Sequence, residues 1–388
     1  MASCLRFLSG AVAMFISGEK VRRSIMPYSP IGQSIQVLDT PALLIDLDKM
    51  ENNIQKMAAR CRDSGLHWRP HAKGHKTPAI AHKQLCAGAI GITCAKLGEA
   101  EVLADGGISD ILVANQVVGR EKVARLVNLR RRADVMVAVD DPVHIHAISD
   151  AATDVGVNVR VLVEVDVGMK RCGVPPGAPT LALAQQADAA PGVVFAGIMG
   201  YEGHAMSLDD AAKEAACKKA VGELSKTRNL IENAGLCVGI VSAGGTGTLA
   251  FTPDFPGITE IQAGGGIFMD TYYRDGLHVR GLEHALSVLT TVISRAAPDR
   301  AVADAGRKTT SSHPSLPEVK DRTDVVVTGL AAEHALLSLT NSDIEIGDKI
   351  QFISGYSDMT VFLHDQIYGT RDDRVEVVWD ILARGKKQ

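Results

Sequence analysis

The chain has 388 residues, 46% of them hydrophobic, with a formal net charge of −4 and a pI near 6.3. That is more chain than one hydrophobic core holds, so one large and one smaller domain are expected. No long run of one charge sign occurs, which argues against a nucleic-acid or anionic-membrane partner, and the densest basic run, "NLRRRAD" at 128–134, reads as the end of a solvated helix.

Residues 1–34 contain "CLRFLSGAVAMFISG" followed by "EKVRRS", an apolar stretch too short to span a membrane. This extension is either a targeting segment or a loosely ordered leader with an internal start near Met26. The seven cysteines are scattered, odd in number and never spaced as CxxC. Neither a disulfide framework nor a zinc clip follows, and a reducing, cytoplasmic compartment fits best.

Residues 35–65 hold "TPALLIDLDKMENNIQKMAARC", a strand and then a helix that stacks Met50, Ile54, Met57 and Cys61 on one face. Over 66–275, short β-branched runs alternate with segments of helical periodicity, the pattern of βα units around a parallel sheet. The strand candidates are "LHWRPHA", "IGITCA", "DILVANQV", "VMVAVD", "VRVLVEVDV", "VFAGIMGY", "GIVSAG" and "ITEIQAG". Eight strands make a (β/α)8 barrel, an α/β fold of the TIM type. "REKVARLVNLRRRA" places Val123, Leu126, Val127 and Arg130 on one helical face, and Asp before Pro in "DDPVHIHAISDAA" marks a helix start. From 276 to 388 strands follow without long helices, predicting a mainly antiparallel β domain with a hairpin at "TRDDRV".

Side chains that do chemistry in such a barrel sit at the C-terminal ends of its strands. Lys73 ends the first candidate strand, among His71, His75 and Lys76. A lysine desolvated there beside other cations has a lowered pKa and attacks carbonyls; one in solvent does nothing. Arg171 in "DVGMKRCG" follows strand five, and Tyr201 and His204 in "GYEGH" follow strand six. "SAGGTGT" and "QAGGG", with Gly244, Gly245, Thr246, Gly264 and Gly265, follow the last two strands, where bare amides bind phosphate.

In this order, "LDTPALLIDLDKMENNI", "RPHAKGHKTP", "GITCAKLGEAEVLADGGISDILVANQVVG", "DVGMKRCG", "GYEGH", "SAGGTGT" and "AGGGIFMD" resemble the D-threonine aldolase and D-serine dehydratase family, of the alanine racemase fold. The resemblance implies a pyridoxal-phosphate barrel followed by a β domain, the strand at 41–48 pairing into the latter, and a homodimer. It implies Lys73 as the residue that carries the cofactor covalently, Arg171 near its ring oxygen, Tyr201 beside it, and Gly244, Gly245 and Thr246 at its phosphate. Glu333 and His334, in "AEHALL", are implied as lining residues. Metal-dependent members bind a divalent ion through a histidine and an acid or cysteine two positions on. Here Asp358 is the acid, but Tyr356 stands at the histidine's place, and tyrosine is a poor ligand for Mn²⁺, Mg²⁺ or Zn²⁺, so Asp358 is either a ligand to such an ion together with water and another oxygen or a hydrogen-bonded loop acid.

The implied reaction is retro-aldol cleavage of a 3-hydroxy-D-amino acid, D-threonine giving glycine and acetaldehyde. Dehydration of D-serine or 3-hydroxy-D-aspartate is the alternative, with racemisation or non-catalytic cofactor binding as further ones. His71, His204 and Tyr356 are the candidates for proton transfer.

Overall fold

The computed structural model describes residues 29–388, so the apolar stretch at 4–18 lies outside the described residues. Strand β1, Ala42–Asp46, ends in a side chain that accepts from the Lys49 amide and so caps helix α1, Leu47–Asp63. Met50, Ile54, Met57 and Cys61 form the buried face of α1, as their spacing predicts.

Eight parallel strands follow: β2 His67–Trp68, β3 Ile92–Cys94, β4 Asp110–Gln116, β5 Asp134–Val139, β6 Val159–Glu164, β7 Val193–Met199, β8 Ile240–Ala243 and β9 Glu260–Ile261. Their order, β2-β9-β8-β7-β6-β5-β4-β3, brings the first two strands to opposite ends of the sheet. Backbone bonds from Ala72 N–H to Thr93 O (2.7 Å) and from Thr93 N–H to Pro70 O (2.9 Å) close the ring. Each strand lies within one residue of its predicted run. β2 is shorter than expected because Pro70 has no amide hydrogen to give and the chain turns at 72–75.

Helices α2 Pro78–Cys86, α3 Leu97–Asp105, α4 Arg120–Leu129, α5 Pro142–Val155, α6 Ala178–Ala189 and α7 Asp210–Asn233 wrap the ring. Asp141 caps α5 by accepting from the Val143 amide, with Pro142 at the first helical position. On α4, Val123, Leu126 and Val127 face inward. Arg130 departs from the expected face: it is the C-terminal cap and donates to Asn158 O at 2.8 Å, because a guanidinium with a carbonyl in reach does not enter an apolar layer.

The N-terminal end of the barrel is filled with charge. Arg69, 2% exposed, donates to Glu260 and Asp110, and Arg160 adds ion pairs to Asp110 and Asp134. The C-terminal end is left to the loops.

Beyond residue 285 come β10 Leu286–Ala297, β11 Arg300–Ala303, β12 Glu318–Val319, β13 Val325–Leu330, β14 Ala335–Leu339, β15 Lys349–Ile353, the short helix α8 Ser357–Val361, β16 Gln366–Arg371 and β17 Arg374–Asp380. The pairing is antiparallel except where β1 lies beside β16, and β1 fills the gap between β10 and β16. The β16–β17 turn places Asp372 and Asp373 at φ 46° and 55°, the two-residue hairpin turn that matches strand twist. Asn53 of α1 ties the two halves together, donating to Ile267 O and Glu283 O and accepting from the Glu283 amide. Among the described residues no helix is long and apolar enough to cross a membrane.

Candidate active site

Past Pro70, His71 still pairs with Thr93 as a single parallel bridge, and Lys73 stands on the turn at 72–75 that follows. His71 Nδ1 accepts from the Lys73 amide at 3.2 Å, which leaves the proton of the neutral ring on Nε2. Burial, with Lys73 and Lys76 nearby, holds the His71 imidazole well below its ordinary pKa, so it stays neutral. Lys73 is half-exposed, and its Nζ lies 2.9 Å from Asp358 Oδ2 at the start of α8. Lys76 pairs with Glu99. His75 is buried, its Nδ1 accepting from the Thr77 amide, and burial lowers its pKa to about 4.

A cavity of about 250 Å³ opens at this end of the barrel, lined by His71, Lys73, Arg171, Tyr201, Thr246 and Tyr273 with the glycine loops. The Arg171 guanidinium sits 5.7 Å from the centre of the Tyr201 ring. Burial pushes the Tyr201 phenol up, so it remains protonated. A larger groove of about 650 Å³, between β1 and the Asp372–Asp373 turn, shares no residue with this cavity and holds neither glycine loops nor Lys73.

The two glycine loops are built against each other. Thr246 Oγ1 accepts from the Gly266 amide at 3.0 Å, joining the loop after β8 to the loop after β9. Gly244 turns at φ +80°, and a Cβ on Gly245 would lie 2.8 Å from the Tyr201 ring. Cβ atoms on Gly264 and Gly265 would collide with the His71 backbone and the Tyr273 hydroxyl. Beneath the first loop, buried Glu202 accepts from Thr248 Oγ1 (2.7 Å), Thr252 Oγ1 (2.5 Å) and the Gly244 amide (3.3 Å). Sequence reasoning passes over Glu202, although it stands inside "GYEGH", because only contacts to later segments reveal its task.

Asp270 is a second such residue. Its carboxylate accepts from the Tyr273 amide (2.7 Å), the Ser357 amide (2.7 Å) and Ser357 Oγ (2.8 Å), so it fixes α8 against the barrel mouth. Burial raises its pKa to about 6. Tyr356 packs edge-on to Tyr272 with ring centres 5.6 Å apart, and its hydroxyl donates to Asp358 Oδ2 at 3.3 Å. Burial and the acids Asp358 and Asp270 push the Tyr356 phenol up.

Three candidates fall outside the cavity. His204, in the loop after β7, is exposed with its ring beside Gly168 of the loop after β6, and it does not line the cavity. Glu333 and His334 are exposed at the tip of the β13–β14 hairpin, where Glu333 pairs with Lys308 at 2.6 Å. "AEHALL" reads as a motif but is the turn and first half of a strand that alternates buried and exposed residues.

The donor set fits pyridoxal phosphate: an amine on a half-exposed turn, a protonated phenol and a guanidinium beside it, and a cradle that side chains at the glycines would fill. It does not fit a divalent ion at Asp358. Among the described residues Asp358 belongs to no trio of His, Cys, Asp or Glu ligand atoms. The trio that does gather, Asp140, Glu164 and Cys172, is already engaged: Asp140 accepts from the Gly173 amide and Glu164 from Gln116. Burial and those two acids also push the Cys172 thiol up, away from the thiolate a metal binds.

Residues 45–272 match the alanine racemase N-terminal domain, and residues 285–370 match the putative serine dehydratase domain. The chain is 37% identical to a D-threonine aldolase of an Arthrobacter species, over 93% of this chain and 97% of the relative. It is 36% identical to a 3-hydroxy-D-aspartate aldolase of Paracoccus denitrificans (strain Pd 1222), over 92% and 94%. The crystal structure of D-threonine aldolase from Filomicrobium marinum superposes with a TM-score of 0.90 at 36% identity, covering 93% of this chain and all of that one. Two fused domains, a shared mouth and identity of this extent lead to one conclusion: the chain belongs to the D-threonine aldolase and D-serine dehydratase family, with the alanine racemase fold.

Proposed function

We propose that the protein is a pyridoxal-phosphate-dependent lyase that cleaves 3-hydroxy-D-amino acids, D-threonine giving glycine and acetaldehyde. The observation that carries the reading is the convergence of Lys73 and two interlocked glycine loops on one mouth, in a chain similar along nearly its whole length to two aldolases.

When bound, the cofactor is an electron sink for the substrate carbon whose bond breaks. Lys73 holds it covalently. The backbone amides of Thr246, Gly264 and Gly265 bind its phosphate, while the amides of Gly244 and Gly245 are held by Glu202 and Thr248 Oγ1, which keep the first loop in shape from below. Arg171 and Tyr201 border its ring. His71, neutral and protonated on Nε2, donates a hydrogen bond into the cavity. The surrounding tyrosines exclude water from the β-carbon.

A homodimer and a cytoplasmic location belong to the same reading; sedimentation velocity and fractionation read them. The experiment for the activity is an aldehyde-coupled assay on cofactor-loaded protein with D-threonine and, as control, L-threonine. Turnover confined to the D enantiomer supports the proposal. Equal turnover of both would refute its stereochemistry.

A further inference from the structure

Asp358 stands at the mouth as a mostly buried acid with one carboxylate oxygen engaged and the other without a partner. Its side chain is 10% exposed, and Oδ2 accepts from Lys73 Nζ at 2.9 Å and from the Tyr356 hydroxyl at 3.3 Å. Oδ1 is buried with no partner. The neighbouring acid, Asp270, has both oxygens committed to Tyr273 and Ser357. A Cβ on Gly74 would lie 2.7 Å from Oδ1 of Asp358, His75 is near enough to feel the charge of Asp358, and the Tyr272 and Tyr273 rings pack on Tyr356.

Divalent ions want several oxygen or nitrogen ligands with accessible lone pairs. A phenol that keeps its proton offers a donor instead. A substrate hydroxyl makes the opposite demand: one donor for its oxygen and one acceptor for its hydrogen, and that is the equipment Tyr356 and Asp358 carry.

Resting on the proposed cleavage, we propose that this chain works without a divalent ion: Tyr356, held by Asp358 beside Lys73, takes the ion's place as the group that hydrogen-bonds the substrate's β-oxygen. Tyr356 turns its hydroxyl from Asp358 to that oxygen while the substrate's hydroxyl proton passes to the unpartnered Oδ1 of Asp358 and the Cα–Cβ electron pair stays on Cα, where a proton taken up from solvent completes glycine and the aldehyde leaves.

The test uses cofactor-loaded protein and Mn²⁺ as the probe. After dialysis against a chelator, wild type is expected to contain substoichiometric divalent metal by mass spectrometry, and its kcat to change by less than about twofold when Mn²⁺ is added. Tyr356→Phe, which keeps the ring, is expected to lose about tenfold or more in kcat, with the cofactor's absorption and the melting temperature unchanged. Tyr356→His supplies a nitrogen two residues from Asp358, and it is expected to bind Mn²⁺ by electron paramagnetic resonance and to regain rate when the ion is added. A wild-type chain that retains one ion and dies on its removal overturns the inference, as does a Tyr356→Phe enzyme with wild-type kcat. So does a Tyr356→His enzyme that binds no Mn²⁺. Ion content is read whether or not substrate turns over, so failure here and failure of the cleavage reading are told apart.

Discussion

Lys73 of the barrel and Asp358 of the β half meet across the mouth, Nζ to Oδ2 at 2.9 Å. One partner comes from the first barrel turn and the other from α8, so the pair exists only when both halves are docked. Its energetic weight is small, because Lys73 is half-exposed and such pairs contribute about 0–1 kcal/mol. Its weight is positional.

Removing the amine should remove the covalent cofactor. Lys73→Ala is expected to lose the cofactor mass that borohydride reduction fixes to the peptide containing residue 73, and to drop in activity by about a thousandfold or more. Peptide mass spectrometry reads the first and the coupled assay the second.

Asp358→Asn keeps the volume but withdraws the charge that Lys73 and Tyr356 share. The melting temperature should move little, and kcat/KM should fall by about tenfold to a hundredfold, measured with D-threonine.

Glu202→Ala leaves two threonine hydroxyls and an amide without their acceptor beneath the phosphate loop. Each orphaned donor costs about 1–3 kcal/mol, so unfolding in urea should show a loss of several kcal/mol. Cofactor titration by absorbance should show weaker binding as well.

Stability should fall in acid through His75. Its folded pKa, about 4, lies below the ordinary histidine value, so the neutral form is favoured by folding. The contribution is fully present above about pH 6.5 and is lost as pH falls toward 4, because only the unfolded chain takes up the proton, at up to about 1.4 kcal/mol per pH unit. His75→Asn should abolish that slope, read as the difference between urea unfolding curves of variant and wild type at pH 7.5 and pH 5.

Much of the fold is legible in the amino-acid sequence. Eight apolar β-branched runs separated by helical periodicity predict the barrel, since burial on both faces forces that composition on a parallel strand. The rule that strand ends converge on one mouth places Lys73, Arg171, Tyr201 and the glycines together. What stays hidden depends on contacts between distant segments. Glu202 and Asp270 are single acids in ordinary loops until Thr248, Thr252, Tyr273 and Ser357 surround them. The direction of His204 is hidden as well, because a histidine just after a strand can point to either side of its loop, and here its ring lies beside Gly168. β14 escapes because its first residues read as a motif instead of as alternation.

The most direct measurement of the central claim is a product balance on cofactor-loaded protein with D-threonine, quantifying glycine, acetaldehyde, ammonia and 2-oxo acid in one reaction. Retro-aldol cleavage predicts glycine and acetaldehyde in equal amounts with no ammonia. Ammonia and a 2-oxo acid in equal amounts would contradict it.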